Sequence, residues 1–390
     1  MSDSDPKHRR ISRDLRQAIA AGRYAVGARL PSEAQLVARH QVSRPTVIRA
    51  LKDLEAEGLI ERRMGSGSFV RRPDATATTG DAKQLGLLIP GLGRTEILEL
   101  ICGELASAAR AHDFSLLWGG SAHPRQDADL SLDQARQLGD QFIRQRVAGV
   151  FFAPFELIPA REEANRGLAE RLRSAGIPVI LIDRDLGPFP KRSDFDLVGL
   201  DNMAAGFLLA EHLLKLGCGR IAFVARPHSA STVDARIAGV REAFARRGLE
   251  LPRDWVQIGD PAETRFVRRL LAGRRWDALL CANDHTAAEL LQTLRQQGCR
   301  VPEDVRIAGF DDVRYATLLS RPLTTVHQPC REIATVALRA MLDRITEPTL
   351  PSRSQLLTPT LVVRESCGTY LSAAGRKQPV DARRKTDPRS

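Results

Sequence analysis

Four apolar runs of this 390-residue chain each end in a pair of polar residues that could bind a small molecule. The pairs are Asp183-Arg184, Asp201-Asn202, Asn283-Asp284 and Asp311-Asp312. Carboxylates and amides accept and donate hydrogen bonds, and a guanidinium forks to two oxygens at once, so these groups suit a ligand with several hydroxyls. The structural alternative is that strand-end Asp and Asn residues cap the next helix. We favour capping for Asp201, Asn202 and Asp284.

A second group of polar residues lies on two short helical patterns within residues 30–60. The second pattern carries Ser43, Arg44, Thr46 and Arg49 near its start. The free N–H groups of a helix N-terminus and a hydroxyl suit phosphate oxygens, whereas arginine can pair with O6 and N7 of guanine in a major groove. The alternative is a small structural helical domain.

The positive charge of the chain is concentrated at its two ends. The formal net charge is +11, of which residues 1–72 contribute +7 and residues 371–390 contribute +4, so the remainder is neutral. A localised positive charge indicates a polyanionic partner, either nucleic acid or a membrane surface, unless it is simply a solvated face.

The cysteines and histidines do not form a recognisable reactive or metal-binding set. The six cysteines show no C-x-x-C spacing, and the histidines are dispersed along the chain. We therefore expect no metal, no cofactor and no catalytic site. The chain shows no apolar leader and no run approaching 18 apolar residues, so we expect a cytoplasmic protein without a membrane partner.

Apolar spacing predicts a small N-terminal domain over residues 1–72, with three helices followed by a β-hairpin wing. The helical patterns and strands cover residues 12–22, 33–40, 43–57, 59–63 and 68–71. Residues 73–83 are small and polar and predict a linker, and residues 371–390 predict a disordered basic tail.

Between residues 84 and 370, apolar strands alternate with amphipathic helices. The alternation forms two series of about 100 residues, and a strand at 195–201 opens the second series. This pattern predicts an α/β domain of two Rossmann-like lobes, each with a parallel sheet covered on both faces. Ligands of such sheets bind at the carboxyl ends of the strands, so the strand-end polar pairs should face a shared cleft.

Residues 7–71 resemble the winged helix of GntR-family repressors. The matching stretches are LRQAIAAGRYAVGARLPSE, VSRPTVIRALKDLEAEGLI and GSGSFV. The resemblance implies a winged helix-turn-helix that binds DNA through the two helix starts, the recognition helix and the wing. These residues are Ser32, Glu33, Ser43, Arg44, Pro45, Thr46, Arg49, Gly65, Ser66 and Gly67. Ile48 stands where this family usually has arginine, and Arg49 comes one place later.

Residues 84–366 resemble the effector domain of the LacI family, which is itself similar to periplasmic sugar-binding proteins. The matching stretches include VILIDR, DALLCAND, VPEDVRIAGFDD and RPLTTVHQP. The ligand residues of the family carry over to Arg184, Arg236, Asn283, Asp311 and Gln328. The loop after the first strand departs from the family, and Arg94 or Glu96 there would fit a charged ligand. Phe155 could stack on a ligand ring or pack in the core.

Together the two resemblances imply a transcriptional regulator, in the first instance a repressor, and not an enzyme. Such a protein would bind a pseudo-palindromic operator in double-stranded DNA as a homodimer. A small molecule, foremost a sugar or sugar derivative, would bind between the lobes and change the affinity for the operator. The alternatives are a nucleoside or an acidic metabolite as effector, or a constitutive DNA-binding protein.

Overall fold

The computed structural model describes residues 7–20, 24, 27–56, 60–63, 67–70, 83–89, 96–118, 128–272 and 276–371. The chain forms two units, Met1–Ala82 and Lys83–Ser390. The predicted linker, except for Lys83, and the predicted tail, except for Leu371, lie outside the described residues. In the described part of the chain, no helix is long and apolar enough to cross a membrane.

The first unit contains three helices and an antiparallel hairpin. The elements are α1 (Lys7–Ala20), α2 (Glu33–His40), α3 (Arg44–Ala56), β1 (Ile60–Arg63) and β2 (Gly67–Val70). Their apolar faces meet in one core, formed by Ile11, Leu15, Leu30, Leu36, Val47, Ala50, Leu51, Leu54, Ile60 and Val70. The helices therefore bury the apolar stripes that their spacing predicted.

Helix α1 begins at Lys7, five residues before the predicted start at residue 12. Ser12 is buried inside the helix, and its hydroxyl donates to the carbonyl oxygen of Ala50 in α3 at 3.2 Å. A serine before an apolar stripe usually marks a helix start, but here the hydroxyl is satisfied by a neighbouring helix.

The hairpin has a third segment that the sequence pattern assigned to a loop. Strands β1 and β2 pair in register from Ile60↔Val70 to Arg63↔Gly67. On the other edge of β2, Leu30 N–H donates to Ser68 O and Val70 N–H donates to Ala28 O, both at 2.8 Å. The segment from residue 27 to residue 30 therefore pairs with β2 and ties the wing to the start of α2.

The second unit alternates strands and helices, as the apolar pattern predicted. Its first part contains β3 (Lys83–Leu88), α4 (Glu96–Arg110), β4 (Phe114–Leu117), α5 (Ala128–Gln145), β5 (Gly149–Phe152), α6 (Arg161–Ser174), β6 (Val179–Ile182) and β7 (Asp196–Leu200). Its second part contains α7 (Asn202–Lys215), β8 (Ile221–Ala225), α8 (Ser231–Ala245), β9 (Val256–Ile258), α9 (Thr264–Leu271), β10 (Ala278–Cys281), α10 (Asp284–Gln296) and β11 (Arg306–Ala308).

The remaining elements pass back and forth between the two lobes. They are a 3₁₀ helix (Arg314–Thr317), β12 (Thr325–His327), α11 (Cys330–Thr346), β13 (Ser354–Leu357), β14 (Thr360–Val362) and a second 3₁₀ helix (Glu365–Cys367). Helix α11 packs on α4 and on the sheet of the first lobe, whereas β12 pairs with β14. The chain thus crosses between lobes after β7, between β12 and α11, and between β13 and β14.

The two sheets are parallel and buried. The first has the strand order β13-β7-β6-β5-β3-β4, and the second has the order β11-β10-β8-β9. The central strands β5, β6, β8 and β10 are buried along their whole length because helices cover both faces of each sheet. This confirms the predicted two-lobed α/β fold.

The predicted start of the second lobe is wrong by one strand. Strand β7 pairs with β6, with Leu181 opposite Leu197, and so belongs to the first sheet. The second lobe begins with α7. The apolar pattern predicts that β7 is a buried parallel strand, but the same pattern would fit a strand of either sheet.

Candidate functional site

The first lobe contributes a buried arginine just after β6. Arg184 is 5% exposed, its Nη1 lies 2.6 Å from Glu156 Oε1, and its Nε donates to Asp183 Oδ2 at 3.0 Å. Burial disfavours the charged guanidinium, but the carboxylates of Glu156 and Asp183 outweigh it and hold the pKa of Arg184 above its ordinary value. Arg184 is therefore a fixed cation that already has two counter-charges.

A buried asparagine fixes the turn that carries Glu156. The backbone N–H of Phe155 donates to Asn165 Oδ1 at 2.7 Å, and Asn165 Nδ2 donates to the carbonyl oxygen of Phe155 at 3.0 Å. Phe155 is buried and, together with Arg184 and Ser231, lines a small cavity. No motif surrounds Asn165, so this role could not be predicted from the sequence.

The second lobe contributes a second buried arginine, from the first turns of α8. Arg236 is 4% exposed, and its Nε donates to Asn202 Oδ1 at 2.7 Å. Its Nη1 donates to the carbonyl oxygen of Ala282 at 2.5 Å, and its guanidinium carbon lies 4.6 Å from the centroid of the Phe310 ring. These contacts hold the guanidinium between α7 and the end of β10.

Two glycines allow α7 and α8 to approach closely enough for this contact. A Cβ added to Gly206 of α7 would lie 2.0 Å from the carbonyl oxygen of Arg236, and one added to Gly239 of α8 would lie 2.0 Å from that of Met203. Real Cβ atoms essentially never approach within 3.0 Å. The position of Arg236 against Asn202 therefore depends on these glycines.

Asp311 interacts with charged groups of both lobes, namely Arg236 of the second lobe and Asp183 and Glu156 of the first. Its Oδ1 lies 3.9 Å from Arg236 Nη2 and accepts from Gln328 Nε2 at 2.8 Å. Burial raises the pKa of Asp311, and the nearby carboxylates of Asp183 and Glu156 raise it further. The charge of Arg236 and the hydrogen bond from Gln328 lower it, and the resulting pKa is about 7.

Two buried oxygen atoms at this place have no donor. Asp183 is 5% exposed and Gln328 is 1% exposed. Within the described residues, neither Asp183 Oδ1 nor Gln328 Oε1 meets a hydrogen-bond donor. When Asp311 is ionised, its contact with Gln328 orients the amide, because a flipped amide would place its oxygen against the carboxylate. An unpaired buried acceptor lowers the stability of the fold, so a ligand that donates hydrogen bonds to these two oxygens would remove that cost.

The lobes touch each other on either side of these groups. The backbone N–H of Leu157 in the first lobe donates to His228 O in the second at 2.8 Å. Glu96, at the start of α4, accepts from the backbone N–H of Arg314 at 3.2 Å. Glu96 thus bonds the opposite lobe in this structure. Arg94, also predicted to line the cleft, lies outside the described residues.

The predicted helix caps are correct at Asp201 and wrong at Asn202. Asp201 Oδ1 accepts from Ala204 N–H at 2.9 Å and so caps α7. The amide of Asn202 instead serves Arg236 and donates to the carbonyl oxygen of Leu200 at 3.0 Å. Asn202 is already inside the helix, where its side chain is directed inward to the arginine.

Capping is also wrong for Asp284. Its Oδ1 accepts from Thr325 Oγ1 at 2.7 Å and its Oδ2 from Val313 N–H at 3.2 Å, so it anchors the turn beyond β11. Asn283 caps α10 instead, by accepting from Thr286 N–H at 2.8 Å. The amide oxygen of Asn283 is therefore used by the cap. The contact of Asn283 with a ligand stays a prediction.

In the first unit, the predicted DNA-contacting residues lie at the adjoining starts of α2 and α3. Ser32 and Gln35 form a reciprocal capping box at the start of α2, with hydrogen bonds of 2.8 and 3.3 Å. Arg44 Nε at the start of α3 lies 3.0 Å from Glu33 Oε2, and Ser43 Oγ lies 2.8 Å from Thr46 Oγ1.

The other predicted DNA-contacting residues lie along α3 and in the wing. Pro45 and Arg49 are exposed on α3. Gly67 begins β2 with a φ of 108°, a conformation that favours glycine. Gly65 and Ser66 lie outside the described residues. Within the first unit, the N-terminus of α3 is exposed, as expected of a recognition helix.

These two units define a class of protein. A helix-turn-helix with a wing binds DNA, and a two-lobed α/β unit with convergent buried polar groups senses a small molecule. The combination is that of a ligand-controlled transcriptional regulator.

Comparison with known proteins agrees with this class. Residues 7–70 match the family of bacterial regulatory proteins of the gntR type, and residues 210–367 match the periplasmic binding protein-like domain. The arabinose metabolism transcriptional repressor of Geobacillus stearothermophilus is 26% identical over 93% of this chain and 97% of its own length. The regulator GalR of Escherichia coli (strain K12) is 30% identical over 65% of this chain and 70% of its own length.

A solved structure shows the same architecture. The transcriptional regulator CelR in complex with cellobiose superposes with a TM-score of 0.62 and 25% identity, over 84% of this chain and 92% of that chain. The chain belongs to the LacI/GalR-type family of transcriptional regulators, and its N-terminal domain is of the GntR type.

Proposed function

We propose that this regulator binds an uncharged sugar between the lobes of its second unit, and that the sugar changes its affinity for operator DNA. The proposed contacts come from both lobes and from the crossing segment between β12 and α11. They are Asp183, Arg184, Arg236, Asn283, Asp311 and Gln328.

The observation that carries this proposal is the pair of unmet acceptors, Asp183 Oδ1 and Gln328 Oε1. Both need donors, and the hydroxyls of a sugar supply several donors in a small volume. The two buried arginines do not call for an anionic ligand, because Arg184 is paired with Glu156 and Asp183 and Arg236 faces Asp311. A carboxylate or phosphate would meet these acidic groups, so an uncharged effector fits better than an acidic one.

The relatives support the same ligand class. A repressor of arabinose metabolism matches over 93% of this chain, and the CelR structure is a complex with cellobiose. We propose that the cleft of this chain likewise binds a sugar and does not catalyse a reaction on it.

The DNA-binding assembly that we propose is a homodimer on a pseudo-palindromic operator in the cytoplasm. Two copies of the first unit would contact two half-sites, about one helical turn apart. The sugar would shift the operator affinity by binding one arrangement of the lobes better than the other, and such couplings are typically ~1–3 kcal/mol.

The proposal is tested by thermal unfolding of the full chain with L-arabinose, D-ribose, cellobiose, D-galacturonate and adenosine. A bound sugar at about 100 times its Kd should stabilise the fold by about 2.7 kcal/mol. Gln328→Leu should abolish this stabilisation while leaving DNA binding intact, and Gln296→Leu, at an exposed position in the last turn of α10, should change neither. Stabilisation by galacturonate or adenosine alone, with none by the neutral sugars, would contradict the proposal.

A further inference from the structure

We propose that Arg29 is a DNA-contacting residue that binds a backbone phosphate beside the groove entered by α3. This inference concerns the DNA-binding unit alone and is independent of the effector. The side chain was not among the candidates from the sequence, where residues 24–29 had the pattern of a loop.

The backbone of Arg29 is held on the wing. Arg29 forms an antiparallel bridge with Phe69 in the middle of β2. The neighbouring hydrogen bonds, from Leu30 N–H to Ser68 O and from Val70 N–H to Ala28 O, fix this register on both sides. The backbone of Arg29 is therefore anchored to β2.

The side chain of Arg29 extends along β2 toward the turn end of the hairpin, where Arg63 pairs with Gly67. A Cβ placed on Gly67 would lie 2.8 Å from Arg29 Nε and 3.2 Å from its Nη2. The guanidinium thus lies directly over a glycine, and any other residue at position 67 would displace it.

Arg29 has no counter-charge in the part of the chain that the structure describes. Its side chain is exposed, and among the residues that the structure describes no carboxylate lies within 4.0 Å of its guanidinium. Arg44 differs, since Glu33 lies 3.0 Å from its Nε. An exposed guanidinium without a counter-charge among the described residues is well suited to a phosphate.

The position of Arg29 relative to the helix starts points to the DNA backbone and not to a base. Glu33 lies four positions after Arg29, so the two Cα atoms are at most about 14 Å apart. The major groove of B-DNA is ~12 Å wide. If the start of α3 lies in the groove, Arg29 is within reach of the phosphates that border it.

The test measures the salt dependence of binding to a random-sequence duplex, which requires no knowledge of the operator. Each phosphate contact contributes about 0.9 to the slope of log K against log salt. Arg29→Ala and Arg29→Gln should each lower the slope by about 0.9, so that raising the salt from about 50 to 200 mM costs about 3.5-fold less affinity than in the wild type. Arg29→Lys should retain the slope.

Two controls separate a phosphate contact from other roles. Arg110→Ala removes an exposed cation from the last turn of α4 and should leave the slope unchanged. Gly67→Ala should displace the guanidinium and lower the slope like Arg29→Ala, and the double variant should show no further loss. An unchanged slope in Arg29→Ala would overturn the proposal. So would an Arg29→Lys variant that melts lower and binds as weakly as Arg29→Ala, because that result indicates packing and not charge.

Discussion

Replacing Gly239 by alanine tests how closely the effector cleft depends on the crossing of α7 and α8. Both glycines of the crossing lie inside helices, where alanine is normally the better residue by ~0.5–1 kcal/mol. Helix propensity alone therefore predicts that Gly239→Ala stabilises the protein. The structure predicts the opposite.

The magnitude follows from the backbone of the facing helix. An alanine Cβ at position 239 would lie 2.0 Å from the carbonyl oxygen of Met203 and 2.6 Å from the backbone nitrogen of Phe207. Relief of the first contact requires α8 to withdraw by about 1 Å, because Cβ contacts below 3.0 Å are essentially never seen. Overpacking of this kind typically costs ~1–3 kcal/mol.

The same withdrawal would open the cleft. Arg236 lies one turn before Gly239, and its 2.7 Å hydrogen bond to Asn202 would lengthen beyond hydrogen-bond range if α8 moved by about 1 Å. A hydrogen bond to a charged group contributes ~1.5–3 kcal/mol, so the affinity for the sugar should fall by at least tenfold.

The assay is urea unfolding of the full chain, combined with calorimetric titration of the sugar that stabilises the wild type. Gly167→Ala is the matched control, because Gly167 lies inside α6 and its added Cβ would meet nothing within 4 Å. We expect Gly167→Ala to gain stability and Gly239→Ala to lose it. A Gly239→Ala protein as stable as the control, with unchanged sugar affinity, would refute the reasoning.

Three further predictions concern single side chains. The folded-state pKa of Asp311 is raised to about 7, so its contribution to stability falls as the pH rises from about 4 toward 7. Asp311→Asn should remove that fall, as measured by the difference in Tm from the wild type across this range. Asn165→Ala leaves two buried backbone groups of Phe155 unpaired and should cost ~1–3 kcal/mol in urea unfolding; no loss would exclude the clamp. Arg44→Ala should weaken operator binding by ~1–3 kcal/mol in a gel shift without lowering the Tm, because its ion pair with Glu33 is exposed; equal binding would exclude base contact.

The local sequence was sufficient to predict which segments form helices and which form strands, and that the chain divides into two units. Strands such as Val179–Ile182 are continuous apolar runs, and helices such as α3 show a buried stripe at 3.6-residue spacing, because burial of each element is set by its own residues. The strand-end polar groups could be found for the same reason, since the carboxyl end of a parallel strand is marked by a change from apolar to polar residues. The function as a DNA-binding regulator was predicted from the motifs that resemble known families.

Only the tertiary structure decided which partner each of these groups has. Strand β7 could belong to either sheet until its pairing with β6 was seen. Asn202 binds Arg236 instead of capping a helix, and Arg29 lies over Gly67 across the wing, through contacts between residues 34 and 38 positions apart. The sequence sets the periodicity and the chemistry of each residue locally. Which buried acceptors remain unmet, and hence what the cleft can bind, depends on packing between segments that are distant in the chain.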